Sequence, residues 1–409
     1  MHDYDLIVIG GGAAGFYGAI QTAILQPGAK ILILEKSNKV LAKVKVSGGG
    51  RCNVTQHCFD PLQLARHYPR GEKPLKSLFK NYHAKNVVEW FEEKKVALKA
   101  EEDGRMFPVT DSSQTIIDCF LNETARYKIK IELERAVENI KLENDGFGIY
   151  TSQGYIYWGK KVLIAIGGNP NLQFYQWIQT LNIRIVPPIP SLFTFNDSQK
   201  VFKDLMGVAV PNAEVRIATT KFLQTGPLLI THWGLSGPAV IKLSAWAAEY
   251  LHDVNYQFTV LVSWIGPARE DDIREQLKNY KALHGKQKIY NYPLFDLPSR
   301  LWQLLCTLAE IEDQKIWAEL PQKNLNKLLE GIIRSAFQIK GKTTFKEEFV
   351  TCGGVDLADI DINTMESKKI KNLFFAGEVL NIDGETGGYN FQAAWTTSYT
   401  AAVQIAKRA

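Results

Sequence analysis

The sequence predicts an α/β fold built on a parallel sheet, interrupted by a β-rich insertion and a helical stretch. Three observations carry this reading. The apolar run Asp5-Leu6-Ile7-Val8-Ile9 goes straight into glycines. Two later runs, Lys161 to Gly168 and Leu373 to Glu378, have the same form. Between about 190 and 345 the pattern changes character, and at 409 residues the chain is too long for one ordinary core.

The first strand is β-branched and has no polar alternation, as a parallel strand covered on both faces should be. Gly10, Gly12 and Gly15 then spell GxGxxG. Gly10 permits the tight turn, Gly12 lets backbone approach a pyrophosphate, and Gly15 lets the following helix pack on the strand. Lys30 to Leu34 reads as the second strand, and Glu35 at its end is placed to accept the ribose hydroxyls of an adenosine half. An acid rather than an arginine there argues against a 2′-phosphate; NAD and FAD satisfy the fingerprint equally.

Ser47-Gly48-Gly49-Gly50-Arg51-Cys52-Asn53 is read as a loop, because glycine is costly inside helices and strands. Such a loop brings backbone close to a flat cofactor, with Arg51 and Asn53 as polar contacts. Helical spacing covers 75 to 98 and 112 to 127. Short strands follow at 129 to 133, 136 to 142, 147 to 151 and 154 to 158, a meander inserted as a crossover. From 190 to 265, β-rich runs split by Gly, Pro and Asn predict a small barrel or sandwich. From 268 to 340 the pattern is helical, with Leu301, Leu304, Leu305 and Leu308 as one apolar stripe. Gly387 and Gly388 lead into a last helix from Phe391 to Ala406. The expected division is a sheet domain at 1–190 and 345–409, an inserted barrel at 190–267 and a helical subdomain at 268–344.

Composition narrows the class. A net charge of +5 without any block of like charges gives no case for nucleic acid or an anionic membrane. No apolar stretch approaches the roughly 18 residues of a membrane span. Acids stand where a secretory leader needs positive charge, so a cytoplasmic location is expected. Five widely spaced cysteines suit reduced thiols, and no Cys/His spacing suggests zinc, so no metal is expected.

Together, GGGAAG with Glu35, SGGGRCN at 47 to 53, THWGLSGPA at 231 to 239, TMESK at 364 to 368 and AGEVLNIDGETGGYNFQAAW at 376 to 395 resemble the bacterial BaiN-like flavoproteins, also called the aminoacetone oxidase family, over nearly the whole chain. The resemblance implies a Rossmann-like FAD-binding domain of the glutathione-reductase type with an inserted β-barrel and a small helical domain. It implies that Gly10, Gly12, Ala14 and Gly15 hold the pyrophosphate, with Ala13 beside them, and that Glu35, followed by Lys36, takes the ribose. Gly49, Arg51, Cys52 and Asn53 would lie along the flavin side, and Glu378 after Gly377 would bond the ribityl chain. Val137 and Gly167 complete the expected cofactor set on the sheet side. Gly387, Gly388, Tyr389 and Asn390 would open the last helix beneath the flavin ring, where a helix N-terminus favours the negative charge of reduced flavin. The aspartate usual after the GEVL run is Asn381 here, which passes the expected charge to Asp383.

Candidates for proton chemistry are His232 and Tyr389. Cys52 and Cys58 resemble the redox pair of flavin disulfide reductases, but five residues intervene where those enzymes have four. Gly341-Lys342-Thr343 imitates the end of a P-loop without its first glycine, since Ala336 stands there. Trp233, Trp264 and Trp395 are candidate pocket walls, although buried core is the usual place for tryptophan. The expected function is an FAD-dependent oxidoreductase exchanging a hydride between flavin N5 and a small organic substrate bound between the sheet and inserted domains. Amine oxidation and NAD(P)H-linked enone reduction are both implied, and the absence of a second GxGxxG means either NAD(P)H as a transient donor without a standard site or an oxidase that passes electrons to oxygen. A flavoprotein acting on RNA and a dithiol reductase using Cys52 and Cys58 are the alternatives; oligomeric state is left open.

Overall fold

The computed structural model describes residues 3–143, 146–343 and 350–407. The chain divides into two compact units, Met1–Ser191 with Lys346–Ala409, and Leu192–Phe345. The boundary expected near 345 lies outside the described residues.

In the first unit Leu6–Ile9 and Ile31–Leu34 are wholly buried strands that pair in parallel, Leu6 beside Ile31 through Ile9 beside Leu34. The sheet extends to Lys130–Glu132 on one side and through Val162–Ile164 to Leu373–Phe375 on the other, all parallel. Glu366–Ser367 and Ile360–Asp361 finish that edge in antiparallel pairing. Because the central strands run one way, the glycine turns that follow Ile9, Ile164 and Phe375 gather at one side of the sheet. That is where open parallel sheets bind ligands.

The crossover meander forms from the last three of the four expected strands, while the first, Lys130–Glu132, joins the main parallel sheet. Val137–Glu143, Gly146–Thr151 and Ile156–Gly159 pair antiparallel, and Asp3–Tyr4 joins their edge. The helix expected over 75–98 is two helices, Glu72–Leu78 and Ala84–Glu93, and then a strand, Leu98–Ala100. At the second start Asn86 Oδ1 accepts from the His83 N–H at 2.9 Å, which satisfies one of the open donors where helical spacing resumes. The last helix, Tyr389–Lys407, packs along Ala13–Leu25, where Ser398 Oγ donates to the Ala14 carbonyl at 2.9 Å. Tyr17 fills the seam, with its ring 4.9 Å from Trp90 and 5.2 Å from Trp395. Trp395 is therefore core rather than pocket wall, and its indole donates to the Val54 carbonyl at 2.9 Å.

The second unit holds a closed six-stranded barrel in the order Thr194–Asp197, Gly234–Ser236, Leu223–Ile230, Ala209–Ile217, Gln257–Ser263, Ser335–Thr343. The last of these corrects the sequence reading, which carried helix through 340. From Ser335 to Lys340 side chains alternate inward and outward, a period of two rather than 3.6. Gly341, Lys342 and Thr343 thus end a strand, and the first P-loop glycine is still missing, since Ala336 stands in its place. Trp264 is buried with its indole on Ser335 Oγ at 3.0 Å. On the helix Ser299–Leu308, Leu301 and Leu305 are buried while Leu308 is half-exposed, so the apolar stripe is narrower than the spacing suggested.

Candidate functional site

The first turn is shaped by backbone crowding. Gly10 has φ +114°, and a Cβ on Gly15 would coincide with the Gly10 carbonyl oxygen. Gly12 is different: a Cβ there meets nothing within 4 Å. Open space over Gly12 lies at the start of the helix Ala13–Leu25, which has no side-chain cap and no acid in its first turn. Its N–H groups and dipole are left to an outside anion. Glu35 is tied into the turn, since Oε2 accepts from Gly11 N–H at 2.8 Å and Oε1 from Ser37 N–H and Oγ–H at 2.9 and 2.8 Å. A carboxylate offers about four acceptor positions, so one remains for a hydroxyl donor.

The SGGG segment is a short helix end that breaks into left-handed backbone. Gly48, Gly49 and Gly50 have φ of +57°, +68° and +85°, and Cys52 follows at +63°. Gly49 and Gly50 also face open space. Asn53 is buried, and its side-chain oxygen and the Thr55 backbone lie where a Cβ on Gly388 would intrude. The loop at 47–53 and the loop before the last helix are therefore neighbours. Arg51 is committed to protein groups: it binds Glu101 at 2.6 Å and Asp111 at 3.6 Å, with its guanidinium 3.9 Å above the Phe107 ring.

At the end of Leu373–Phe375, Gly377 (φ +76°) sits against Ala14, so the first and last elements of the sheet domain meet at the same place. Glu378 accepts from Lys43 Nζ at 2.7 Å and from Thr351 N–H at 3.1 Å. Gly167 faces open space beside them, while Gly168 is pressed on Thr351 Oγ1 and Glu378 Oε1. Thr351 Oγ1 is buried without a hydrogen-bond partner. Sequence reading passed it over, since a threonine in a strand carries no motif. Thr351→Val is expected to leave apoprotein melting unchanged and to weaken FAD binding about tenfold, the value of roughly one hydrogen bond. Calorimetry of the apoprotein with FAD reads both.

The segment Asp383 to Asn390 is a closed loop. Gly384 N–H donates to Asn390 Oδ1 at 2.9 Å, and Asn390 Nδ2 returns to the Gly384 carbonyl at 3.0 Å. Asn390 thus shapes the loop. Asp383 is fully buried against Arg70, whose Nε–H lies 2.6 Å from Oδ1, and it accepts from Ser191 Oγ at 2.9 Å. Glu385 is also buried, and its Oε2 lies 3.0 Å from His67 Nδ1. The His67 ring stacks on Tyr389 at 4.4 Å, and the Tyr389 carbonyl accepts from Tyr68 Oη at 2.7 Å. Burial pushes the Tyr389 phenol up, so it stays neutral.

The remaining sequence candidates have the following surroundings. His232, in the second unit, is exposed with its ring 3.8 Å from that of Trp233, which is 46% exposed. Lys36 lies over the Phe174 ring at 4.5 Å, and Val137 is half-buried at the meander edge. Cys52 and Cys58 are free thiols. Burial pushes Cys52 up to about 12 and also raises Cys58, the reverse of what a nucleophilic thiolate needs. Cys52→Ser/Cys58→Ser is accordingly expected to retain flavin and its reduction by dithionite. In the unaltered protein no Cys52 thiolate-to-flavin absorbance should grow in at neutral pH. Among the described residues no group of His, Cys, Asp and Glu is placed to hold a metal, and no helix is long and apolar enough to cross a membrane.

The residues fit a flavin dinucleotide: an uncapped helix start, an acid with an acceptor position left, an orphaned buried hydroxyl, and open space over Gly12, Gly49, Gly50 and Gly167. The model of the HI0933-like protein Rossmann domain family matches residues 4–404. A ribosomal RNA dihydrouridine synthase of Haemophilus influenzae is 29% identical over 98% of both chains. A 3-dehydro-bile acid delta(4,6)-reductase of Clostridium scindens is 26% identical over 98% of both. Among solved structures, the 3-ketosteroid-delta4-(5alpha)-dehydrogenase of Rhodococcus jostii shares the fold, with a TM-score of 0.53, 12% identity and 99% and 97% coverage.

Proposed function

The chain belongs to the HI0933-like Rossmann family and is an FAD-dependent oxidoreductase, and from that premise we propose that it reduces a carbon–carbon double bond conjugated to a carbonyl. The observation that carries this reading is a shared chemistry. Making dihydrouridine saturates the uracil C5–C6 bond next to the C4 carbonyl, and a delta(4,6)-reductase acting on a 3-dehydro substrate saturates bonds in line with a ketone. Saturating the uracil bond or the steroid 4,5 bond puts a hydride on the carbon β to the carbonyl and a proton on the α carbon, and saturating the 6,7 bond does the same one double bond further along the conjugation. Bound FAD would supply the two-electron hydride exchange.

The protein's own groups bind and orient. Gly12 and the start of Ala13–Leu25 take the pyrophosphate, and Glu35 a ribose hydroxyl. Gly49, Asn53, Thr351 and Glu378 would hold the flavin half, and the last helix start after Gly387 and Gly388 would favour the negative charge of the reduced cofactor through its dipole.

Uracil in ribosomal RNA is the first substrate reading, carried by the full-length relative at 29% identity. It sets aside the sequence expectation of no nucleic-acid partner. Support comes from exposed Trp233 beside His232, an aromatic surface of the kind on which bases stack. A steroid-like enone is the second reading, carried by the bile-acid relative.

An anaerobic titration of the yellow protein with NADH and NADPH tests the donor side. Bleaching by one of them is the expected result. Failure of both to bleach it would remove the NAD(P)H-linked reading.

A further inference from the structure

We propose that His67, oriented by Glu385, is the proton donor to the substrate's α carbon; this rests on the double-bond reading above. Glu385 Oε2 lies 3.0 Å from Nδ1, and Glu385 N–H donates to the His67 carbonyl at 2.9 Å, so side chain and backbone fix the pair together. The carboxylate is 7% exposed and the imidazole 35%, so the acid is held out of water while the ring keeps part of its surface accessible. The ring also rests on Tyr389, stacked at 17° between planes. With Nδ1–H directed at the acid, Nε2 is the nitrogen left for proton transfer, and no protein group among the described residues hydrogen-bonds it.

This is the arrangement of an acid–base histidine held in one tautomer by a carboxylate. Its position is apt. Tyr389 is the first residue of the last helix and directly follows Gly387 and Gly388, and Gly388 abuts Asn53 and Thr55 of the flavin-side loop. The groups facing the imidazole are Glu385 and the Tyr389 phenol. On its own segment Arg70 is held by Asp383 and Arg66 by Gln63 at 3.3 Å.

The step balances as follows. The β carbon takes a hydride supplied by the reduced flavin, and the π pair of the double bond forms the new bond from the α carbon to the proton on Nε2. Bound FAD would supply the hydride as a two-electron donor and would be recharged by a reduced nicotinamide. Neutral His67 regains its proton from water at its exposed face. His67 is the donor, and Glu385 is a positioning residue.

The test uses full-length, FAD-loaded protein reduced by light under argon, then mixed with ribosomal RNA from a strain lacking the gene, or with a 3-oxo-4,6-diene steroid. His67→Gln and His67→Asn are each expected to slow flavin reoxidation by the acceptor about 100-fold or more, with flavin content and reduction by nicotinamide unchanged. Reoxidation at the wild-type rate in either folded variant overturns the proposal and leaves the double-bond reading standing. If neither acceptor reoxidises wild type, the double-bond reading has failed, and nitrogen NMR of the His67 ring judges the pair by itself. A ring protonated on Nδ1, losing that preference in Glu385→Gln and regaining it in Glu385→Asp, supports the pair. A neutral ring whose single proton sits on Nε2, or one indifferent to Glu385→Gln, overturns it.

Discussion

Gly15→Ala is expected to yield protein without flavin and with a strongly lowered melting temperature. The added Cβ would fall on the Gly10 carbonyl oxygen, a backbone atom that cannot step aside without moving the strand Leu6–Ile9. Overpacking a site of this kind costs about 1–3 kcal/mol, and more where the obstacle is backbone. The helix Ala13–Leu25 must then lift off the sheet, taking its uncapped start away from the phosphates. Gly12→Ala is the matching control, because a Cβ there meets no atom within 4 Å. Its apoprotein should melt as the wild type does, yet bind FAD poorly, since the methyl takes the space the pyrophosphate needs. Equal melting losses in the two apoproteins would contradict this account of the turn.

Asp383→Ala should be the most damaging single change away from the cofactor. It removes the carboxylate from a pair in which Asp383 is fully buried and the Arg70 side chain 10% exposed, and it strips Ser191 of its acceptor. Removing one partner of a buried ion pair costs about 3–5 kcal/mol, largely because the other charge is left unpaired. Urea unfolding of the apoprotein should show that loss. The double variant Arg70→Met/Asp383→Leu should recover much of it. A loss under about 1 kcal/mol in Asp383→Ala would mean that water reaches Arg70 and the pair is effectively a surface one.

The parts of this molecule legible in sequence are those whose cause is local. Gly10, Gly12 and Gly15 announce a strand-to-helix turn because each answers a steric demand within a few residues, and the triple glycine at 48–50 announces left-handed backbone in the same way. The meander was legible from its alternation. Elements that depend on distant partners were not. Ile185–Ser191 contains Pro187, Pro188 and Pro190 and does not read as a strand, yet it pairs with Val350–Val355 by shifting register between Val186 and Ile189. Ser335–Thr343 continues from a helix without a breaker, and only its period marks the change. The same division holds at the site. Glu385 stands inside a quoted motif, but its partner His67 lies 318 residues away in a stretch with no signature. Arg70 and Asp383 are 313 residues apart. Arg51, read as a cofactor contact, is taken up by Glu101 and Asp111, acids its own motif does not reveal.

The most direct measurement is anaerobic reoxidation of the reduced protein by each acceptor, followed by mass analysis of that acceptor. Return of the oxidised flavin absorbance in step with a gain of two hydrogens, by uracil in the ribosomal RNA or by the steroid dienone, is the predicted result. Flavin that stays bleached with both acceptors and regains its colour only on admitting air would contradict the account.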